Sequence, residues 1–328
     1  MRILRFLTLS LTFIAVLIIG VWGALALHFQ VVANYGWAVI GLWVTLTALT
    51  LWGFSRPKAR VRSFAVYAVG LVVLLIWWAS VTPRLDRDWA PELAQSLTGE
   101  IKGTKVTLHN VRTFNWRTSA DYDARWESRE YDLDQLDSVD MILSYWGNEA
   151  IAHTLLSFGF TNGDHLVFSV EIRRENNEVF STIGGFFKQY ELAILAADEN
   201  DIVRLRTTVR DPLEDVYLYP IVTRKKHRIA LFEGLVNKAN ALAGKAQFYH
   251  TIMANCTTVI YALVKQYRDD IDLDMRIIRS GYLPDYLAER GVLNWAKPYG
   301  DIRARAAISV KAQKITAGQD YSVIIREP

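Results

Sequence analysis

Two long stretches without a charged side chain constrain this chain more than any other feature. No Asp, Glu, Lys or Arg occurs from Phe6 to Ser55 or from Ser63 to Pro83, whereas the other residues are charged at ordinary density. A bilayer core requires about 20 apolar residues per helix. We therefore predict three transmembrane helices, at roughly Leu4 to Leu27, Trp37 to Phe54 and Phe64 to Ser80.

Basic residues near these spans predict how they are oriented. Arg2 and Arg5 precede the first span, residues 56–62 contain four Lys or Arg, and the turn between the first two spans contains none. Cytoplasmic loops carry the excess of Lys and Arg. The N-terminus and residues 56–62 are therefore predicted to be cytoplasmic, and everything after Thr82 is predicted to lie outside.

The chain divides by composition into an anchor, a linker and one extracytoplasmic domain, at residues 1–83, 84–104 and 105–328. Six of the 37 Lys and Arg lie in the anchor, which has no acidic residue, so 31 basic and 34 acidic residues remain beyond it. No part of the chain has the basic surface that nucleic-acid binding requires. Residues 84–328 are numerous enough for one domain with its own core.

Patterns of apolar residues predict an α+β domain. Strands are predicted at Lys105–Val111, Met141–Tyr145, Ala152–Phe160, His165–Arg173, Ile202–Val209 and Val216–Ile221. Helices are predicted at Phe186–Ala197 and Leu231–Leu242, and a further helix begins at Cys256, after which apolar residues recur at intervals of three and four.

The only cysteine of the chain, Cys256, lies at the start of that last helix. Asn255 is a favourable N-cap, and the N–H groups of the first turn, including that of Thr257, are candidates to hold an oxyanion. A helix N-terminus and a nearby imidazole both favour the reactive thiolate. The alternative is that Cys256 is a small buried packing residue.

His153 is the candidate partner of the thiol, and the turn at Asn162-Gly163 determines what lies beside it. A three-residue loop with a left-handed Gly163 places His153 opposite Glu171, which would orient the imidazole. A two-residue turn places Ile172 there instead, and Glu171 is equally suited to a surface ion pair with Arg173. In the three-residue register, the strand face with Phe158 and Phe168 is predicted to be core, and the face with His153 is predicted to carry the polar site.

Six motifs in the same order together resemble the DUF4105 family, the periplasmic domain of Lnb-type lipoprotein N-acyltransferases. They are the strand beginning at His153, residues 169–173, residues 186–192, residues 215–220, residues 255–258 and residues 281–284. The resemblance implies a catalytic Cys and His, which map onto Cys256 and His153, in a permuted NlpC/P60 (papain-like) fold. The histidine-before-cysteine order is also similar to lecithin:retinol acyltransferase-like enzymes, which use a cysteine thioester.

These observations lead us to expect a thiol acyltransferase or lipid acyl hydrolase in the bacterial inner membrane, with its domain in the periplasm. A phospholipid would donate the acyl group to Cys256, with a lipoprotein as a candidate acceptor. No cofactor is expected, and the spacing of His and Cys does not match a zinc site. Two alternatives remain, namely a cysteine peptidase or amidase of NlpC/P60 type acting on cell-wall peptides, and a non-enzymatic scaffold or lipid carrier.

Overall fold

The computed structural model describes residues 2–31, 35–293, 299–316 and 318–327. Residues 32–34, which belong to the predicted turn between the first two spans, lie outside that description. The chain forms two compact units. One comprises Met1–Pro83 and Phe180–Gln189, and the other comprises Arg84–Val179 and Tyr190–Pro328.

Three helices form most of the first unit: α1 (Arg2–Gln30), α2 (Gly36–Phe54) and α3 (Arg60–Ser80). Each contains a segment long and apolar enough to cross a membrane, which agrees with the three predicted spans. Side-chain hydrogen bonds join the helices: the Trp43 indole donates to the Gly20 carbonyl, the Tyr67 hydroxyl donates to that of Val16, and the Arg60 guanidinium donates to that of Phe54. Apolar side chains cover the outward faces, as a lipid environment requires.

An eight-stranded sheet forms the centre of the second unit, with β3 and β4 as a separate pair. The order is β1-β2-β9-β8-β7-β6-β10, with β5 paired to β2, and neighbours are antiparallel except β2 and β9. The strands are β1 (Thr98–Lys102), β2 (Lys105–Arg112), β3 (Asn115–Trp116), β4 (Tyr122–Asp123), β5 (Trp126–Asp132), β6 (Leu136–Tyr145), β7 (Ala152–Phe160), β8 (His165–Arg173), β9 (Glu191–Ala197) and β10 (Asp215–Pro220).

Helices cover both faces of this sheet. Phe158 and Phe168 pack against α5 and α6 on one face, which confirms that this face is core. The other face carries His153, Ser169 and Glu171, as predicted for the polar site. Leu155 and Val167 on the same face pack with residues of α10 and α11, so most of this face is covered rather than open to solvent. The helices are α4 (Glu199–Arg204), α5 (Lys225–Gly244), α6 (Cys256–Lys265), α7 (Met275–Ile278), α8 (Leu283–Glu289), α9 (Tyr299–Ala306), α10 (Ser309–Ala312) and α11 (Tyr321–Ile324).

Two predicted elements have the wrong type. The helix predicted at Phe186–Ala197 is strand β9, preceded by a short 3-10 turn at Gly184–Phe186. Both faces of β9 are buried, so its sequence lacks the alternation that marks a half-exposed strand. The strand predicted at Ile202–Val209 is instead the end of α4 followed by a π-helix at Leu205–Val209. In addition, the predicted linker contains β1, which pairs along its whole length with β2.

The hairpin between β7 and β8 has the predicted three-residue loop. The Phe160 N–H donates to the Asp164 carbonyl at 2.9 Å, and Gly163 has a φ of 93°, in the region that favours glycine. The ladder then runs from Gly159 opposite His165 to Leu155 opposite Ser169. This register brings His153 and Glu171 to the same end of the two strands.

Candidate active site

Helix α6 begins at Cys256 because the sequence before it forms a complete N-terminal cap. The Asn255 side chain accepts hydrogen bonds from the N–H groups of Thr257 (2.9 Å) and Thr258 (2.8 Å), and the Thr258 hydroxyl accepts from the Asn255 N–H (3.0 Å). Val259 and Leu263 anchor the helix in the core. The cap fixes Cys256 at the positive end of the helix dipole, where a thiolate is favoured.

His153 lies where strands β7 and β8 separate. The β7–β8 ladder ends at Leu155, and beyond it the two strands are joined by side chains. His153 Nε2 lies 2.7 Å from Ser169 Oγ and 3.1 Å from Glu171 Oε1, and the Ser169 hydroxyl donates to the same carboxylate oxygen at 2.7 Å. Since Ser169 gives its proton to Glu171, its oxygen accepts from His153, so Nε2 carries a proton. The other ring nitrogen, Nδ1, is left for the thiol.

The thiol and the imidazole interact as a pair. Burial alone would lower the pKa of His153, but the Glu171 carboxylate and the hydrogen bonds to Cys256 and Glu171 raise it to about 9. Burial raises the pKa of the Cys256 thiol, yet the bond and charge of His153, the N–H of Thr154 and the hydroxyl of Thr257 together lower it. These opposite shifts favour a thiolate–imidazolium pair, the state in which a cysteine is nucleophilic at neutral pH.

The buried guanidinium of Arg206 lies beside the Glu171 carboxylate and stabilises its negative charge. Arg206 Nη2 lies 3.4 Å from Glu171 Oε1, and its guanidinium also lies 3.9 Å from the Glu214 carboxylate. Glu214 in turn accepts from Ser144 and pairs with Arg210. Burial raises the pKa of Glu171, but His153, Arg206 and Ser169 outweigh it and hold that pKa well below its usual range. Glu171 is therefore ionised at neutral pH and remains so as the imidazole titrates.

Ser280 and Gly281 hold the start of strand β7, next to His153. The Ser280 hydroxyl accepts from the Ala152 N–H at 2.9 Å and donates to the Ala152 carbonyl at 2.6 Å. Gly281 touches the backbone before β7 so closely that a Cβ would stand 1.9 Å from the Glu149 carbonyl oxygen. Any larger residue would push the two segments apart. This motif thus fixes the backbone that carries His153.

The structure brings Cys256, His153 and Glu171 together. The other two predicted site residues, Asn255 and Thr257, have different roles from each other. Asn255 is the cap of α6. The Thr257 N–H donates to the Asn255 side chain at 2.9 Å and so belongs to the cap, and its role in holding an oxyanion stays a prediction. The cap leaves the Cys256 N–H as the first-turn donor without an acceptor among residues 2–31, 35–293, 299–316 and 318–327. Thr257 contributes through its hydroxyl, 3.8 Å from Cys256 Sγ.

Sequence reasoning missed three residues of the site. Ser169 stands two positions before Glu171 on the same strand face, so the register could have identified it. Ser280 precedes a motif that carried the family resemblance, but its bonds to Ala152 join segments 128 positions apart. Arg206 lies in the stretch that was mistaken for a strand, and no local pattern indicated its role.

Exposed apolar side chains lie close to the pair in sequence. We call four of them the apolar rim: Trp146, Ile151, Ile252 and Met253. Ile151 precedes His153 by two residues and Met253 precedes Cys256 by three, which places both within about 12 Å of the pair along the backbone. Exposed apolar groups beside a polar cluster are typical of a binding site for an apolar ligand.

Comparison with known proteins relates the chain to a described family. The family model described as the Lnb N-terminal periplasmic domain matches residues 122–303, more than half of the chain, and this match includes His153, Glu171 and Cys256. No curated protein and no solved structure is significantly similar to the chain. Together with the three apolar helices, the match identifies a membrane protein with a periplasmic domain. The chain belongs to the Lnb N-terminal periplasmic domain family.

Proposed function

We propose that this protein is a membrane-tethered thiol acyltransferase or lipid acyl hydrolase that works through a thioester on Cys256. One arrangement of side chains carries the proposal: Cys256 lies at a helix N-terminus, His153 lies beside it, and Glu171 contacts Nε2 of the His153 ring. A histidine strand that precedes the cysteine helix also supports the permuted NlpC/P60 (papain-like) arrangement.

In the first step, the Cys256 thiolate attacks the ester carbonyl of a phospholipid. The Cys256 N–H, in the first turn of α6, would stabilise the developing oxyanion. The ester C–O bond then breaks, and the alkoxide takes the proton from the His153 imidazolium. This step yields a lysophospholipid and an acyl thioester on Cys256.

In the second step, neutral His153 removes a proton from the attacking amine or water. The nucleophile forms its bond to the thioester carbonyl, and the C–S bond breaks. The thiolate and the imidazolium are thereby restored, since the proton now lies on His153. Glu171 orients the imidazole and stabilises its positive charge in both steps, so it assists the reaction without touching the reacting atoms.

The apolar rim and the three membrane helices favour a lipid substrate over a cell-wall peptide. A peptidase of NlpC/P60 type would use the same three side chains, so the site chemistry alone does not separate the two functions. The full chain in phospholipid nanodiscs should release lysophospholipid, and Cys256→Ser should release none. If the full chain cleaves cell-wall peptides in a Cys256-dependent reaction and leaves phospholipid intact, the peptidase is the function.

We also propose that the protein lies in the bacterial inner membrane with its N-terminus in the cytoplasm. The basic loop at residues 56–62 supports this orientation. Reporter fusions after Arg60 should behave as cytoplasmic, and fusions after Trp89 should behave as periplasmic. The reverse pattern would exclude a periplasmic active site.

A further inference from the structure

The connection between strands β8 and β9 contains an apolar segment that the thiol chemistry does not use. From Phe180 to Phe187 no side chain is charged. Phe180, Ile183 and Phe186 are exposed, with Ile183 at 53%. A cluster of exposed apolar side chains of this kind marks a surface that binds a partner.

This segment belongs to the same compact unit as the three membrane helices. Gln30 at the end of α1 donates to the Phe187 carbonyl at 2.8 Å, and Lys188 donates to the Trp78 carbonyl at 2.8 Å and to the Val81 carbonyl at 3.1 Å near the end of α3. Phe187 also packs against the rings of Phe29 and Trp78. The segment therefore lies at the level where two spanning helices end.

Its backbone is folded on itself, which suits a low-dielectric environment. The Phe186 N–H donates to the Ile183 carbonyl and the Phe187 N–H donates to the Gly184 carbonyl, both at 2.9 Å, while the Gly184 N–H donates to the Ser181 hydroxyl at 3.1 Å. Backbone groups without such partners are costly near lipid. These internal hydrogen bonds lower the cost of placing the apolar side chains of the turn among acyl chains.

We propose that Phe180–Gln189 is a lipid-binding turn that inserts Ile183 and its apolar neighbours into the outer leaflet of the membrane. Continuity with the ends of α1 and α3 identifies the partner as the bilayer, since any bilayer that these helices span meets this turn. Trp78, which packs on the segment, is of the residue type that favours the headgroup layer. The turn would dock onto the leaflet from which the proposed acyl donor is drawn, but its lipid contact does not depend on that reaction.

Spin-label accessibility tests this proposal without any substrate. Cys256→Ser removes the single cysteine, so a nitroxide can be placed on Ile183→Cys in the full chain in phosphatidylethanolamine–phosphatidylglycerol nanodiscs. The matched control is Val222→Cys, an exposed apolar residue of the other unit. Lipid-immersed labels collide with oxygen and are shielded from a water-soluble nickel chelate.

We expect the oxygen-to-nickel accessibility ratio to be several-fold higher at Ile183→Cys than at Val222→Cys. A label on Phe180→Cys should behave like that on Ile183→Cys, and it serves as the test if the latter protein does not fold. Equal ratios at the test and control positions would overturn the proposal, and they would leave the thiol mechanism untouched.

Discussion

Replacing Glu171 by Gln removes one charge from the candidate site while nearly preserving the shape of the side chain. The carboxylate lies 3.1 Å from His153 Nε2, and it is the largest influence that raises the pKa of that imidazole. Burial acts in the opposite direction. In Glu171→Gln, the lowering of the His153 pKa by burial is opposed mainly by the hydrogen bond to Cys256. The pKa of His153 should therefore fall.

The net rise in the pKa of His153 sets the scale of the change expected in Glu171→Gln. A rise from 6.5 to about 9 corresponds to about 3 kcal/mol in favour of the imidazolium, at about 1.4 kcal/mol per pH unit. His153 is largely buried, with 13% of its side chain exposed, so solvent screening removes little of this energy. We expect Glu171→Gln to lower the pKa of His153 by about two pH units.

The sign of the effect determines the pH window of the ion pair. Because the pKa of His153 is raised, the imidazolium is present below about pH 9 and is lost as the pH rises through that value. In Glu171→Gln this loss should occur at about pH 7. The alkaline limit of activity should move down with it, since the leaving group needs the imidazolium proton.

Deuterium exchange at the C2 position of each histidine, followed by mass spectrometry, measures this pKa without a substrate. The His153 peptide should titrate near pH 9 in the wild type and about two pH units lower in Glu171→Gln. Glu130→Gln, which changes an exposed strand carboxylate, should leave it unchanged. A wild-type value near that of a free histidine, or no response to Glu171→Gln, would refute the assignment of Glu171.

Three further predictions test other parts of the site. Cys256→Ala and His153→Ala should each abolish turnover, and the double variant should be no worse than either, because the two side chains act as one unit; additive losses would contradict this. Asn255→Ala should lower the free energy of unfolding by about 0.5–2 kcal/mol, measured by denaturant titration, and should slow alkylation of Cys256 by iodoacetamide. Asn255→Ser, which keeps a capping side chain, should restore both. Ser280→Ala leaves the buried N–H and carbonyl of Ala152 unpaired, so it should lower the free energy of unfolding by about 1–3 kcal/mol. It should also lower kcat more than it raises KM, and an unchanged kcat would show that Ser280 does not position His153.

Local signals in the sequence were sufficient for the parts of the site that local structure determines. Asn255 and the apolar spacing after it predict the start of α6. Asn162-Gly163 predicts a tight turn with two possible registers, and the structure has the one that brings Glu171 to His153. The membrane helices were equally clear, because a run without charges has few alternatives in a folded protein.

The remaining features depend on contacts between distant parts of the chain. Strand β9 is buried on both faces, so its sequence gave no alternation and was mistaken for a helix. Ile202 and Val203 have high strand propensity, but tertiary packing places them on a helix that leads to Arg206. The burial of the His153 face by α10 and α11 follows from the path of the C-terminus, which no local pattern reveals.

The central claim is that Cys256 carries an acyl group taken from membrane lipid. The most direct measurement is the intact mass of the full chain after incubation with phospholipid of one defined acyl composition. We expect a gain of one acyl chain on Cys256, reversed by hydroxylamine and absent from Cys256→Ala. Release of lysophospholipid by Cys256→Ala at the wild-type rate would contradict the thioester mechanism.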